Sequence, residues 1–394
     1  MELLFLLSVT VVVYMFIGYP LLLAVLGSIS AIRKSADSTS ASNELHDFPS
    51  LSVVIAAHNE EKNIERRIKN LLSQSYPMNK VEFIVGLDGC TDNTKRHLES
   101  QRANIEREGA TLKILEFAKR GGKPTVINAA IKHCKHDIVA FADVRQTFAS
   151  NALRNLIRHF ANERIGAVSG ELFLEEPTDR HVVAEAGAYW RYEKLIRKLE
   201  SRYHSTIGAT GAIYAIRKPL YQEIPVRTLI DDVVIPMQIC LQGHQVKFAD
   251  DAHAYDVAPS DSNREWFRKV RTLAGNWQLM SIRRNFFNPL KNPVWLQFMS
   301  HKIMRLTLPF CLLTALLSSY RMLDQQFYAT IFMLQCLIYA IGCASFFFDR
   351  LRQLRIPGLI YFFCILNAAI VVGFYRLASG KKEGLWTFAY KTGS

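Results

Sequence analysis

Several familiar signatures are missing from this sequence. No G-x-G-x-x-G follows its first strand-like run, and G-x-x-x-x-G-K-[ST] occurs nowhere. The first absence argues against a dinucleotide oxidoreductase, the second against a P-loop nucleotidase. None of the seven cysteines has metal-ligand spacing. Cys311, Cys336, Cys343 and Cys364 lie in apolar runs, while Cys90, Cys134 and Cys240 are scattered, which predicts free thiols in a reducing compartment. Charge is absent from 3–32, 325–348 and 356–375. At about 1.5 Å per residue, each run is long enough to cross the ~30 Å hydrocarbon layer of a bilayer. A fourth run, Leu306 to Tyr320, has 15 residues and is bracketed by Arg305 and Arg321, which can snorkel to the interfaces.

Acidic residues are also in short supply. Lys and Arg total 48 against 35 Asp and Glu, a formal charge of +13 over 394 residues. Such a balance suits nucleic acid, anionic lipid or anionic substrate. The apolar runs select the bilayer and leave no call for nucleic acid. The first run lacks the basic start and small-residue cleavage site of a signal peptide and reads as an anchor. Arg33 and Lys34 follow it, and Arg350, Arg352 and Arg355 separate the last two runs. By the positive-inside rule the intervening domain is expected in the cytosol, with the amino terminus outside. The expected organisation is an anchor at 1–32, a polar Ser-rich linker at 33–49 and a catalytic domain at 50–262. Amphipathic interfacial helices at 263–300, membrane helices at 301–378 and a tail at 379–394 follow.

From residue 51 strands and helices alternate. Leu51–Ala57, Val81–Leu87, Leu112–Phe117 and Ile138–Ala142 read as strands, the first a continuous apolar run buried on both faces. Asn59 can cap the next helix, on which Ile64, Ile68, Leu71 and Leu72 share one face. A further helix is expected from about Pro124 to Cys134. This pattern predicts an α/β domain with a mainly parallel, doubly wound sheet and a ligand crevice at the carboxyl ends of its strands. Those ends carry His58-Asn59-Glu60-Glu61, Asp88-Gly89-Cys90-Thr91-Asp92, Arg120-Gly121-Gly122-Lys123 and Asp143. Singly, each has an ordinary reading: Asn59 and Thr91 as caps, Asp88-Gly89 as a turn, Lys123 as a solvated lysine. Together they converge on one ligand. Carboxylates there suit ribose hydroxyls and a base N–H, and Lys123 and Arg145 suit a diphosphate.

On these residues the sequence resembles the family 2 glycosyltransferases, in the membrane-embedded branch that includes cellulose, hyaluronan and poly-N-acetylglucosamine synthases. The resemblance rests on "VVIAAHNEEKNIERRIKNLLSQSYP", "FIVGLDGCTDNT", "GGKPTVINAAI", "STIGATGAIYAIRK" and "LIDDVVIPMQICLQGHQVKF", in order over roughly 50–285. It implies a GT-A fold and sugar transfer from a nucleotide sugar, UDP-linked and of the glucose or N-acetylglucosamine type, with inversion at the anomeric carbon. It implies a glycan or lipid-linked acceptor and other polysaccharide-assembly proteins as partners, at the bacterial inner membrane. Asp232 matches the position of the base that deprotonates the acceptor hydroxyl, and its place at a helix start also suits the helix dipole. Asn59, Glu60, Asp88, Lys123, Asp143, Arg145 and Arg271 fall on the donor side. Gly208, Gly211, Asp231 and Arg268 fall on the acceptor side.

Two departures qualify the resemblance. Asp143 matches the first carboxylate of the family's D-x-D, and Arg145 stands where the second belongs. Asp143 alone can still anchor Mg²⁺ or Mn²⁺, which keep water and phosphate oxygens as further ligands. Arg145 in turn sets a fixed cation beside the diphosphate. The processive synthases carry Q-x-x-R-W, where this chain has Arg268, Arg271 and Thr272. Trp277, five residues beyond Thr272, lies on another helix face, so processive polymerisation with translocation is the alternative to single transfer. Trp386 to Lys391 loosely resembles a gating segment of the hyaluronan synthases. A transporter component or an inactive assembly partner fits less well. The apolar runs carry no charge for a transport path, and Asp88, Lys123, Asp143, Asp232 and Arg271 are all present.

Overall fold

The computed structural model describes residues 1–36, 48–175, 181–257 and 262–380. The central sheet has eight strands in the order β3-β2-β1-β4-β7-β6-β8-β5. They are β1 Leu51–Ala57, β2 Val81–Asp88, β3 Thr111–Phe117, β4 Ile138–Ala142, β5 Thr147–Phe148, β6 Ile165–Glu175, β7 Ile213–Arg217 and β8 Gln245–Val257. β1 to β4 are mutually parallel, with Leu51 opposite both Val81 and Ile138. β7 then runs antiparallel between β4 and β6.

The burial pattern explains the sequence pattern. β2 and β4 are buried along their whole length, whereas β3, at the edge, alternates between buried and exposed positions. Helices cover both faces. Ile64, Ile68, Leu71 and Leu98 pack on one face of the sheet, and Ile127, Ala130, Ile131, Val234 and Ile235 on the other. Gly86 in β2 allows the second layer to close, since a Cβ there would lie 2.2 Å from Val126.

The first helix after β1 spans Ile64–Leu72. Asn59 does not cap it, contrary to the expectation from sequence. The Glu60 carbonyl accepts the amides of Asn63 and Ile64 at 2.9 Å, and Asn59 adopts a φ of 54° with its side chain turned to Thr91. Its short amide side chain tolerates that left-handed conformation, which frees it from the helix start. Thr91 caps nothing either. Asp92 Oδ1 accepts the Thr94 amide at 3.0 Å where the next helix begins.

Among the described residues, four helices are long and apolar enough to cross a membrane: Glu2–Ser30, Trp295–Tyr320, Gln326–Phe347 and Arg355–Ala378. The second begins well before the 15-residue run seen in the sequence. Its first turns, through a π-helical segment at Phe298–Ile303, are built into the catalytic domain. Phe298 is fully buried with Phe286, Leu279 and Val294 against the helix Asp231–Leu241. The helix Ser262–Ile282 lies along Arg355–Ala378, where Gly373 admits the backbone of Ala274 and Trp277 Nε1 donates to the Ile370 carbonyl at 3.1 Å. The helix His181–Tyr203 docks on the first membrane helix. There Tyr192 Oη donates to the Met15 and Phe16 carbonyls, inside a π turn at Tyr14–Gly18 whose widened ladder leaves carbonyls free.

Candidate active site

The carboxyl ends of β1, β2 and β4 open on one crevice lined by His58, Glu60, Asp88, Lys123, Asp143 and Arg145, with Arg120 and Gly122 at its rim. Each wall has a distinct support. Asp88 is buried, and its two oxygens accept the amides of Gly121 and Gly122 at 2.6 and 2.8 Å. His58 Nδ1 lies 2.6 Å from the Asp88 carbonyl, which ties the first two strand ends together. Gly89 closes the corner. Its φ is 60°, and a Cβ would sit 2.6 Å from the Arg120 amide nitrogen. Asp88 therefore shapes the 120–123 loop as well as facing the crevice.

Lys123 opens the helix Lys123–His133, directly after that loop. Its Nζ donates to Asp143 Oδ1 at 2.8 Å and to the Gly211 carbonyl at 3.3 Å, and stands 3.6 Å from Asp231 Oδ2. One ammonium thus joins the donor-side carboxylate to the acceptor side. Burial pushes the Glu60 carboxyl upward, opposed by the Asn63 amide and the charge of Arg145. The loop bearing Asp143 and Arg145 is held from outside by two consecutive arginines of the Ile64–Leu72 helix. Arg66 donates to the Arg145 carbonyl at 2.8 Å and Arg67 to the Gln146 carbonyl at 2.9 Å. Arg67 is fully buried over the Phe148 ring, and burial pushes its guanidinium down to about 9. Sequence reading missed both, because an arginine bound to a distant carbonyl leaves no local mark.

The loop before β7 packs on Asp232. The Ala209 amide donates to the Asp232 carbonyl at 2.7 Å. A Cβ on Gly211 would lie 3.1 Å from Asp232 Oδ2, and one on Gly208 3.2 Å from Val233. Both glycines thus keep the loop against the start of the helix Asp231–Leu241. Burial raises the Asp232 carboxyl above the usual range, and the neighbouring Asp231 charge raises it further, against Lys123, Lys302 and Arg271. Arg268, held down by burial, stands in the fields of Arg145 and Arg271. The charge of Arg271 is felt at Asp232, and that of Arg145 at Arg268, which brings this face of the helix Ser262–Ile282 near the crevice. Trp277 faces the helix Arg355–Ala378. It packs on Phe374 with ring centroids 4.9 Å apart. Thr272 is exposed and bonds back to the Arg268 carbonyl at 3.0 Å. The segment Trp386 to Lys391 lies outside the described residues.

Among the described residues no three of His, Cys, Asp and Glu form a group that could hold a metal ion. Asp143 offers one carboxylate, 38% exposed, with one oxygen on Lys123. That donor set fits a divalent ion as a lone protein anchor whose other ligands are phosphate and water. Chemically, the crevice offers carboxylates and cations for a diphosphate on one side of Lys123. On the other side it offers a carboxylate with raised proton affinity.

The family model described as Glycosyl transferase family 2 matches residues 52–224. Poly-beta-1,6-N-acetyl-D-glucosamine synthase of Staphylococcus epidermidis is 21% identical over 366 residues, 87% of this chain and 87% of that protein. Beta-monoglucosyldiacylglycerol synthase of a Nostoc species is 32% identical over 123 residues, 31% of this chain and 25% of that protein. Among solved structures, the mannosyltransferase PcManGT from Pyrobaculum calidifontis, in complex with GDP-Man and Mn²⁺, superposes with a TM-score of 0.67 at 19% identity. The match covers 96% of this chain and 99% of that one. At that identity the likeness speaks for the fold, which is GT-A.

The Asp231–Asp232 pair carries a pH signature. With Asp232 accepting a proton during turnover, the acid limb of kcat/KM lies above the usual carboxylate range. Asp231→Asn removes a like charge and shifts that limb to lower pH. A pH profile of nucleoside diphosphate release checks this, and a limb that stays put or moves up separates Asp231 from the titrating group.

Proposed function

We propose a specific reaction for a chain that belongs, through residues 52–224, to the family 2 glycosyltransferases: inverting transfer of one sugar from a nucleotide sugar to a glycan or lipid-linked acceptor at a membrane surface. The observation that carries it is the bridge made by Lys123, 2.8 Å from Asp143 and 3.6 Å from Asp231. In this reading it sets a diphosphate-binding crevice beside the buried Asp231 and the half-buried Asp232. The donor is UDP-linked, as the resemblance implies, and of the glucose or N-acetylglucosamine type, in keeping with the Staphylococcus epidermidis relative.

In this reading the nucleotide enters between the ends of β1 and β2, and its diphosphate reaches Lys123, Arg145 and Arg271. Asp232 accepts the proton of the acceptor hydroxyl as that oxygen attacks the anomeric carbon from the face opposite the departing diphosphate. The preset cations stabilise the charge that collects on the leaving group, at no reorganisation cost in a site shielded from water. A divalent ion held at Asp143 would add to that neutralisation when bound. Single transfer is favoured over processive elongation because Thr272 offers no stacking surface and Trp277 is committed to the helix Arg355–Ala378. The catalytic domain faces the cytosol. Arg33, Lys34, Arg350, Arg352 and Arg355 all then lie on its side of the bilayer, with four crossings.

Asp232→Asn is expected to lower transfer by about 10²–10⁴-fold, with nucleoside diphosphate affinity nearly intact. Transfer at more than a few per cent of the parent rate removes Asp232 as the base. Arg145 generates a second expectation. Chelation slows the parent without abolishing turnover, since fixed cations share the diphosphate charge. Arg145→Asp exchanges one of these cations for a metal ligand and becomes more strictly dependent on Mn²⁺. Initial rates against Mn²⁺ concentration decide it, and superimposable curves for the two proteins contradict the shared-charge account.

A further inference from the structure

The junction between the catalytic domain and the helix Trp295–Tyr320 holds more cations than its docking contact uses. On the helix His181–Tyr203, Glu193, Arg197 and Glu200 recur at spacings of four and three and share one face. The π-helical start of the opposing helix presents His301, Lys302 and, one turn on, Arg305. Glu200 Oε1 accepts Tyr19 Oη at 2.7 Å and faces His301 Nδ1 at 2.8 Å. Glu193 faces His301 Nε2 at 3.0 Å and pairs with Arg305. His301 is 4% exposed and has a carboxylate oxygen against each ring nitrogen. Arg305 and His301 serve Glu193, Tyr19 and His301 serve Glu200, and neither Lys302 nor Arg197 bonds to these carboxylates.

Those two point elsewhere. Among the described residues Lys302 makes no hydrogen bond and no ion pair within 4.0 Å. Arg197 Nη1 donates to Thr210 Oγ1 at 2.9 Å. Thr210 lies between Ala209, whose amide holds the Asp232 carbonyl, and Gly211, which lies against the Asp232 carboxylate. The π segment that carries Lys302 packs through Phe298 on the same helix that opens with Asp231 and Asp232. The field of Lys302 reaches Asp232 directly. Lys302 is half-buried with no carboxylate in bonding contact, the charges of Glu193 and Asp232 reaching it against those of Arg197 and Arg305, and a ligand anion would offset the excess of cations. The place of Lys302 selects the kind of ligand. It stands in the first turns of a 26-residue apolar helix, so an anion bound here has its natural continuation along that helix, in hydrocarbon.

We propose that Lys302 and Arg197 form an anion subsite on the acceptor side of Asp232, and that it takes the phosphate of a long-chain lipid phosphate to which the acceptor sugar is attached. The inference rests on the assignment of Asp232 to the acceptor side. The phosphate is a recognition group and is unchanged by the reaction. The sugar hydroxyl forms the new bond to the anomeric carbon, its proton passes to Asp232, and the old bond breaks with its electron pair leaving on the nucleoside diphosphate.

Binding to the full-length protein in detergent tests this without needing turnover. The probes are a polyprenyl monophosphate, the uncharged polyprenol of the same length, and inorganic phosphate as competitor. The monophosphate is expected to bind at least about tenfold tighter than the alcohol, equivalent to one strong charge contact. Lys302→Gln erases that margin, Lys302→Arg keeps most of it, and inorganic phosphate competes only weakly. Arg197→Gln reduces the margin in the same direction, and is read in place of Lys302→Gln should that variant fail to bind UDP or GDP as the parent does. Equal affinity for phosphate and alcohol, a margin that survives both substitutions, or full competition by inorganic phosphate overturns the proposal. Asp232→Asn should bind the monophosphate like the parent. A failure of the base assignment therefore appears in transfer, and a failure of the subsite appears in binding.

Discussion

The ammonium of Lys123 is the contact on which the rest of the site depends. Around it stand Asp143 at the end of β4, Asp231 at the start of a helix and the Gly211 carbonyl before β7. Without the cation, Asp143, Asp231 and Asp232 would be three carboxylates grouped around one crevice, and removing one partner of such a set leaves uncompensated charge. The chain accordingly fixes Lys123 from behind. Asp88 takes the amides of Gly121 and Gly122, Gly89 allows the backbone of residue 120 to approach, and Gly86 lets the helix that Lys123 begins lie close on the sheet. A lysine that already spans the two halves can turn towards a diphosphate when one arrives, because the charges it leaves behind are those the reaction uses.

The membrane helices continue the catalytic domain. Phe298, Phe286 and Val294 belong to the same apolar cluster as Val233 and Val234 beside the base. Burial alone would raise the Glu193 carboxyl, and Arg305 with His301 holds it well below the usual range. That network locks the helix His181–Tyr203 between the first and second membrane helices, and the same helix sends Arg197 to the loop around Asp232. That pairing fixes the α/β domain against the apolar helices at both ends of the chain.

Much of this was legible in the sequence where burial is two-sided or periodic. β1, β2 and β4 are apolar runs because helices cover both their faces, and the crevice at the strand ends follows from topology. Sheet geometry pointed to Lys123 and Asp143, while Asp231, Asp232, Arg268 and Arg271 were named through the family motifs. Other features left no local trace. Asn59 looked like a cap because its residue type suits one, and only the three-dimensional turn gives it a positive φ and Thr91 as partner. Arg66 and Arg67 act on carbonyls about eighty positions away in the chain. The π turns, and the span that begins at Trp295 rather than Leu306, arise from packing against the domain. His301, Lys302 and Arg305 break the apolar pattern there for reasons the pattern cannot display.

The most direct measurement of the account is nucleoside diphosphate binding by Lys123→Met, using UDP and GDP on detergent-purified protein whose folding is checked by circular dichroism. With Lys123 as the shared cation, the variant loses a charge-assisted contact and leaves Asp143 repelling the phosphates. Affinity for the diphosphate that binds the parent should then fall by about tenfold or more. A folded Lys123→Met variant that binds the same nucleotide with unchanged affinity would contradict the central place given to this lysine.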